Sequence, residues 1–172
     1  MKDVFKEQLV KRRPNMQTTL YKSLVVFASL ILAALVLFIE ILAVFAPLFW
    51  LIIIFFAYFI FRRLAVEYEY ALTNNELDID IIYGKAKRKR GFSGNVKDIE
   101  AFRQMGSSEM EHSFSSANAR LNFLGNNEGV GYEFLISRGG KKTRITFEPN
   151  DDILAAILPY LKRGTYPNNM KK

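Results

Sequence analysis

Residues 23–61 read SLVVFASLILAALVLFIEILAVFAPLFWLIIIFFAYFIF, and Glu40 is the only charged side chain among them. As one straight helix the run would extend about 58 Å at about 1.5 Å per residue. The hydrocarbon core of a bilayer is about 30 Å thick and is crossed by about 20 apolar residues. The length therefore suits two crossings joined by a tight turn. Backbone amides find no water at that depth, which leaves helix as the form of both crossings. Pro47 lacks a backbone donor and disfavours helix at Ala46. The break is expected at Val44–Pro47, with helices over residues 20–43 and 48–63.

The flanks orient this hairpin. Lys22 precedes it, Arg62 and Arg63 follow it, and the turn between the helices holds neither Lys nor Arg. Basic flanks stay on the cytoplasmic side, so two spans of the inner (cytoplasmic) membrane with both termini cytoplasmic are expected. Tyr21 and Trp50 stand where interfacial aromatics anchor the inner and outer boundaries. With Lys22, Arg62 and Arg63 they form the expected set of membrane-interface anchors. Glu40 falls near the outer end of the first helix, within reach of the headgroups, and reads as structural.

Composition narrows the remainder. The chain has 172 residues, a net charge of +7, no cysteine and one histidine. Beyond the hairpin there is room for one domain of ordinary size. A disulfide framework, a thiol nucleophile and a cysteine-built zinc site are excluded. Beside a membrane segment, anionic lipid is a simpler acidic partner than nucleic acid. A cleaved signal is not expected, because its apolar core would run only about 7–15 residues. Residues 1–19 read as a basic cytoplasmic segment. Within it Val4, Phe5, Leu9 and Val10 suit a short surface helix, and the plain charged flank is the preferred reading.

After Arg63 the period changes. Val66, Tyr68, Tyr70 and Leu72 alternate with Glu67, Glu69, Ala71 and Thr73, as in a half-buried strand. Asn74-Asn75 is a hairpin turn, and Leu77, Ile79, Ile81 and Tyr83 continue the alternation on a second strand. Tyr83-Gly84-Lys85 turns into a charged third strand over residues 87–92, whose basic side chains suit a protected sheet edge. Four more strands are expected over residues 99–105, 120–124, 131–138 and 142–148. Residues 125–131 read as a hairpin turn and residues 106–118 as a polar loop. Asn150 caps a helix on which Ile153, Leu154, Ile157, Leu158 and Leu161 make one apolar face, kinked at Pro159. The cytoplasmic β domain with this helix is expected over residues 64–163, after the hairpin at 20–63 and before a polar tail at 164–172.

Seven short strands and a C-terminal amphipathic helix resemble the pleckstrin-homology-like fold, a bent seven-stranded sheet or barrel closed at one end by a helix. The chain also resembles an uncharacterised family of small bacterial two-helix membrane proteins with such a cytoplasmic domain. The resemblance is carried by Val66-Glu67-Tyr68-Glu69-Tyr70, Leu77-Asp78-Ile79-Asp80, Tyr83-Gly84-Lys85, Arg88-Lys89-Arg90 and Phe147-Glu148-Pro149-Asn150, and it covers most of residues 20–163. Asn74-Asn75 stands where such families commonly carry Asn-Gly. What the resemblance implies is an arrangement, with no activity attached.

Residues suited to chemistry are few. His112 has no second histidine with which to build a metal site, and Ser113, Ser115 and Ser116 are too near in sequence to face it as nucleophiles. The glycines of residues 125–131 match neither phosphate-loop spacing. Glu76, Asp78 and Asp80 share a strand face and read as a solvated surface beside the third strand's cations. No enzyme activity, metal or cofactor is expected. The constellation that invites a function is Lys85, Lys87, Arg88, Lys89 and Arg90. Strand one travels about 25 Å away from the hairpin and strand two returns, which brings Lys85 back toward the bilayer. The expected role is a membrane-tethered, non-catalytic module that binds a protein partner or anionic lipid headgroups. An accessory subunit of a transporter or envelope complex is the second reading, and a homo-oligomer is compatible with both. The expected partner is the membrane, and no nucleic acid.

Overall fold

The computed structural model describes residues 4–12, 14–125 and 131–166. They form two compact units. One contains residues 14–66 and 83–86, and the other contains residues 4–12, 67–82, 87–125 and 131–166.

The first unit is built on the apolar run. Helix α1 spans Met16–Phe38 and is capped by Asn15, whose Oδ1 accepts the Thr18 backbone N–H at 2.9 Å. That cap starts the helix four residues before the first apolar residue assigned to it. The chain leaves helical geometry at Ile39, makes one turn as α2 (Glu40–Ala43), and re-enters helix as α3 (Ala46–Leu64). Pro47 stands in the first turn of α3, where its missing N–H has no intrahelical partner to lose. Both long helices are long and apolar enough to cross a membrane. Val36 is the one buried residue of α1 and Ala46 the one buried residue of α3. The indole N–H of Trp50 donates to the Ala33 carbonyl at 3.2 Å and joins the two helices.

The second unit holds two four-stranded sheets. The first has the order β1-β2-β3-β4, with β1 Phe5–Lys11, β2 Val66–Thr73, β3 Glu76–Tyr83 and β4 Lys87–Asn95. The strand β1 corrects the reading of the N-terminal segment as a surface helix or a bare flank. It runs antiparallel to β2 from Phe5↔Thr73 to Lys11↔Glu67. A domain boundary drawn at residue 64 therefore omits one strand of this sheet. Asn74 fastens that strand twice, accepting the Val4 N–H on Oδ1 at 3.0 Å and donating its own N–H to the Val4 carbonyl at 2.7 Å.

The second sheet has the order β5-β7-β8-β6, with β5 Ile99–Gln104, β6 Ala119–Asn122, β7 Tyr132–Arg138 and β8 Lys141–Phe147. The described residues thus hold eight strands, where seven were expected. The hairpin expected across residues 125–131 does not form, because β6 pairs with β8, and in parallel. Residues 126–130 of that segment lie outside the described ones. The expected polar loop contains a short helix, α4 (Glu111–Ser115), whose Phe114 is fully buried.

Alternation sends Tyr70, Leu72, Leu77 and Ile79 of the first sheet, and Phe102, Phe134, Ile145 and Phe147 of the second, into the interior. Their rings meet edge to face, Tyr70 on Phe147 at 5.7 Å and Phe134 on Phe147 at 5.4 Å between centroids. Asn150 caps the helix α5 (Asp151–Ile157) by accepting the Ile153 N–H at 2.9 Å. Ile153 and Ile157 are fully buried, and Leu154 and Leu158 are half-buried. The start of α5 is tied to β1 through Gln8. Its Oε1 accepts the Asn150 N–H at 2.7 Å and its Nε2 donates to the Glu148 carbonyl at 3.0 Å.

Candidate functional site

Tyr83-Gly84-Lys85-Ala86 forms a tight turn in which Ala86 N–H donates to the Tyr83 carbonyl at 3.1 Å. Gly84 and Lys85 have φ of 59° and 58°. Two consecutive left-handed residues define the primed turn that matches strand twist. The turn is mounted on the end of α3. Gly84 N–H donates to the Ala65 carbonyl at 2.8 Å, and Arg62 Nε–H donates to the Gly84 carbonyl at 3.1 Å. A Cβ on Gly84 would stand 2.9 Å from the Arg62 carbonyl oxygen, so this close approach requires glycine.

The basic run is not one uniform surface. Arg88 grips Glu69 with both arms of its guanidinium, Nη1 on Oε1 at 2.9 Å and Nη2 on Oε2 at 2.7 Å. Arg90 holds Asp78 at 3.0 Å and Asp80 at 2.6 Å. The acidic face of β3 is thus occupied by an arginine of the neighbouring strand. Lys85, Lys87 and Lys89 are exposed and meet no carboxylate in ion-pair range among the described residues. Strand β4 is terminal in its sheet, so its cations do stand on an edge. Two of the five side chains neutralise the fold's own acids, and three lysines keep their charge free.

The residues expected as membrane-interface anchors have contacts within the protein. Arg62 holds the turn just described, and Arg63 lies 4.6 Å from the Phe59 ring. Trp50 joins the two helices, while Tyr21 is exposed in α1 beside the partly covered Lys22. The serines near His112 turn inward on the backbone. Ser115 Oγ donates to the His112 carbonyl at 2.9 Å and Ser116 Oγ to the Ser113 carbonyl at 2.7 Å. Among the described residues no group of three His, Cys, Asp or Glu could hold a metal ion.

Two features escaped sequence reading. The first is an ionic network behind the second sheet, in which Arg103 and Glu133 are buried, Arg144 is partly covered and Glu111 is exposed. Arg103 Nε meets Glu133 Oε1 at 2.5 Å, Arg103 Nη2 meets Glu111 Oε2 at 2.7 Å, and Arg103 Nη1 donates to the Glu109 carbonyl at 2.6 Å. Arg144 takes the other oxygen of Glu133 at 2.5 Å. Phe114 lies under both guanidiniums, at 4.3 Å from Arg103 and 5.6 Å from Arg144. Burial of Arg103 works against its charge, but the hydrogen bonds and fields of Glu111 and Glu133 prevail and its pKa is raised. The hydrogen bond from Arg103 lowers the pKa of the Glu111 carboxyl. The only signal in sequence was a glutamate in an otherwise apolar strand, Tyr132-Glu133-Phe134-Leu135-Ile136.

The second feature is a cleft of about 360 Å³ between the edge of β4 and the inner face of the second sheet. Gly91 and Phe92 wall it on one side, and Leu121, Ile136 and Ile145 on the other. Arg138 crosses it, donating from Nη2 to the Ser93 carbonyl at 2.5 Å.

An eight-stranded unit of two sheets with a capped helix falls in the pleckstrin-homology-like class. The chain belongs to the family described as a bacterial PH-like domain (DUF6106), which matches residues 2–166 and so takes in both long helices. No curated protein and no solved structure matches it.

Proposed function

We propose that this protein is a membrane-tethered, non-catalytic module that engages anionic lipid headgroups at the cytoplasmic face of the inner membrane. In this reading α1 and α3 cross the bilayer, and α5 closes one end of the β domain. The observation that carries it is the mounting of the basic turn on the last turn of α3, through Gly84, Arg62 and Ala65. A turn held there stays at the depth where α3 leaves the hydrocarbon. The pairing of β1 with β2 supports two crossings, because strands that hydrogen-bond on either side of the hairpin share one compartment. The absence of Lys and Arg from the intervening turn favours the cytoplasmic side.

Each lysine near an anionic leaflet contributes about 1 kcal/mol, screened by salt over about 10 Å at 0.1 M. Lys85 and the two lysines that follow it, Lys87 and Lys89, carry the effect, since Arg88 and Arg90 already hold carboxylates. The test uses the full chain in bilayers of phosphatidylcholine and phosphatidylglycerol, with spin-labelled lipids reporting association. The wild type should prefer phosphatidylglycerol, lose that preference in high salt, and lose it when the three lysines become glutamine. Equal association with both lipids would refute the lipid reading and leave a protein partner. Reporter fusions at both termini should read cytoplasmic, and an extracytoplasmic signal from either would refute the topology.

The accessory-subunit reading is compatible with the exposure of nearly the whole surface of α1 and α3. Lipid or neighbouring helices would satisfy it equally. Co-purification of a membrane protein at fixed stoichiometry would favour the subunit.

A further inference from the structure

Alternation places Phe134, Ile136 and Arg138 of β7 on one face, and Phe134 meets the Phe92 ring of β4 there. Phe134 and Ile136 are buried, whereas Arg138 is exposed at the end of the strand, before the Gly139-Gly140 turn. The arginine crosses the cleft of about 360 Å³ beside β4, and two contacts orient its guanidinium. Nη2 donates to the Ser93 carbonyl at 2.5 Å, and the Phe92 ring lies 5.6 Å away. A Cβ on Gly94 would stand 2.9 Å from Nη2 and 2.6 Å from the Phe92 ring, so glycine there makes room for both. Arg90 shares the rim but already holds Asp78 and Asp80. Arg138 meets no carboxylate among the described residues.

Strand register supplies the opposite wall. Ile136 stands beside Thr143, and Leu121 beside Ile145. Leu121 is 36% exposed and leaves an open aliphatic surface on the cleft. Thr143 lines the same wall, and its hydroxyl makes no hydrogen bond among the described residues. An oriented cation, a free hydroxyl and an apolar wall suit one chemical class of ligand. We infer that the cleft binds a small amphiphilic carboxylate, with its oxygens on Arg138 and Thr143 and its hydrocarbon against Leu121 and Phe92. A guanidinium's planar fork matches the two oxygens of a carboxylate. Ligand pockets run from about 300 to 1,000 Å³, and this one lies near the lower bound, which suits a short chain. A peptide strand added to the open edge of β4 fits less well, because Arg138 already occupies the Ser93 carbonyl. This site is separate from the lysines of the lipid reading and does not depend on them.

The test uses the full chain in lipid nanodiscs, with methyl-labelled leucine and isoleucine and sodium octanoate as the probe. The methyl signals of Leu121 and Ile136 should shift and saturate at millimolar octanoate, while those of Ile153 and Ile157 on α5 stay in place. Octanamide, a neutral isostere, should bind about tenfold more weakly. Arg138→Gln should weaken octanoate about tenfold and leave octanamide unchanged, and Arg138→Lys should restore only part of the loss. Leu121→Trp should fill the cleft and abolish the Ile136 shift with both probes. Unchanged α5 signals verify each variant's fold, and if a variant fails to fold, octanoate against octanamide on the wild type still decides. Equal binding of the two probes, or octanoate binding that survives Arg138→Gln, overturns the inference. Shifts that spread over α1 and α3 without saturating would mean partition into the bilayer, and overturn it as well. An acidic peptide that protects β4 amides, where octanoate is silent, would assign the edge to strand addition instead.

Discussion

Arg90 and Arg103 each hold two carboxylates, and there the likeness ends. Arg90 bonds Asp78 and Asp80 on the solvent face of the first sheet with about half of its side chain exposed, at 55%. Arg103 bonds Glu133 behind the second sheet, with its own side chain 3% exposed and Glu133 wholly covered, and reaches outward to Glu111, which is 61% exposed. In water the charges of the first set are screened and interchangeable. In the buried pair of Arg103 and Glu133 each charge depends on its partner, because an unpaired buried ion loses its hydration and gains nothing in return. The same residue types therefore tile a surface in one place and fix a segment in the other. Arg103 also takes the Glu109 carbonyl and covers Phe114, and so fastens residues 109–114 onto β5 and β7.

The largest expected effect tests the buried pair. Glu133→Ala removes the acid shared by Arg103 and Arg144 and leaves both guanidiniums short of a partner. It should cost about 3–5 kcal/mol, measured by thermal unfolding of the full chain in detergent. The pair Arg103→Met with Glu133→Leu should recover much of that loss, since apolar replacement removes the uncompensated charge with its partner. A loss below about 1 kcal/mol for Glu133→Ala would erase the contrast with the exposed set.

A middle case is a polar atom buried without charge. The Tyr70 hydroxyl donates to the Phe123 carbonyl at 2.6 Å and accepts the Glu148 N–H at 3.3 Å, in a fully buried side chain. Tyr70→Phe should cost about 1–2 kcal/mol. Burial, more than any other influence, pushes the Tyr70 phenol far above its ordinary value. Its contribution is therefore complete below the unfolded tyrosine pKa of about 10 and is lost as pH rises from there toward the folded value. The difference in stability between wild type and Tyr70→Phe should be constant at neutral pH and shrink above about pH 10. A difference that grows with alkali would mean that the phenolate is tolerated in the core.

What the sequence made legible follows the same division. The strands β2 and β3, the turns at Asn74 and Gly84, and the capped helix at Asn150 were legible because alternation, turn chemistry and capping act within a few residues. The strand β1 was not. Phe5 and Leu9 are 62% and 52% exposed, and of its apolar residues only Val10 lies on the covered face, so the strand carries no alternating signal of burial. Its partner β2 also begins more than fifty residues later, beyond both long helices. Phe114 was hidden in a polar stretch because its neighbours, Ala101, Arg103, Leu135 and Arg144, come from three strands. The basic run was legible as composition. That Arg88 and Arg90 are taken up by Glu69, Asp78 and Asp80, leaving three lysines, depends on which strands adjoin, and composition does not say that.

The smallest expected effect belongs to the exposed set and is its sharpest test. Arg90→Gln removes two ion pairs, one at 3.0 Å and one at 2.6 Å, from a side chain that water already solvates. Exposed pairs are worth about 0.2–1 kcal/mol each at most, and much of that disappears in salt. Asp78 and Asp80 regain water when the guanidinium leaves, so no uncompensated buried charge remains. The melting temperature should fall slightly in low salt and match wild type in 1 M salt, where the screening length is about 3 Å. Lipid preference should also hold, because Arg90 spends its charge on β3 and the free lysines carry the attraction. A salt-insensitive loss of several kcal/mol would place Arg90 with Arg103 as a structural ion. An undiminished melting temperature with a collapsed lipid preference would instead return Arg90 to the headgroup contacts, and would mean that its two carboxylates release it at the membrane.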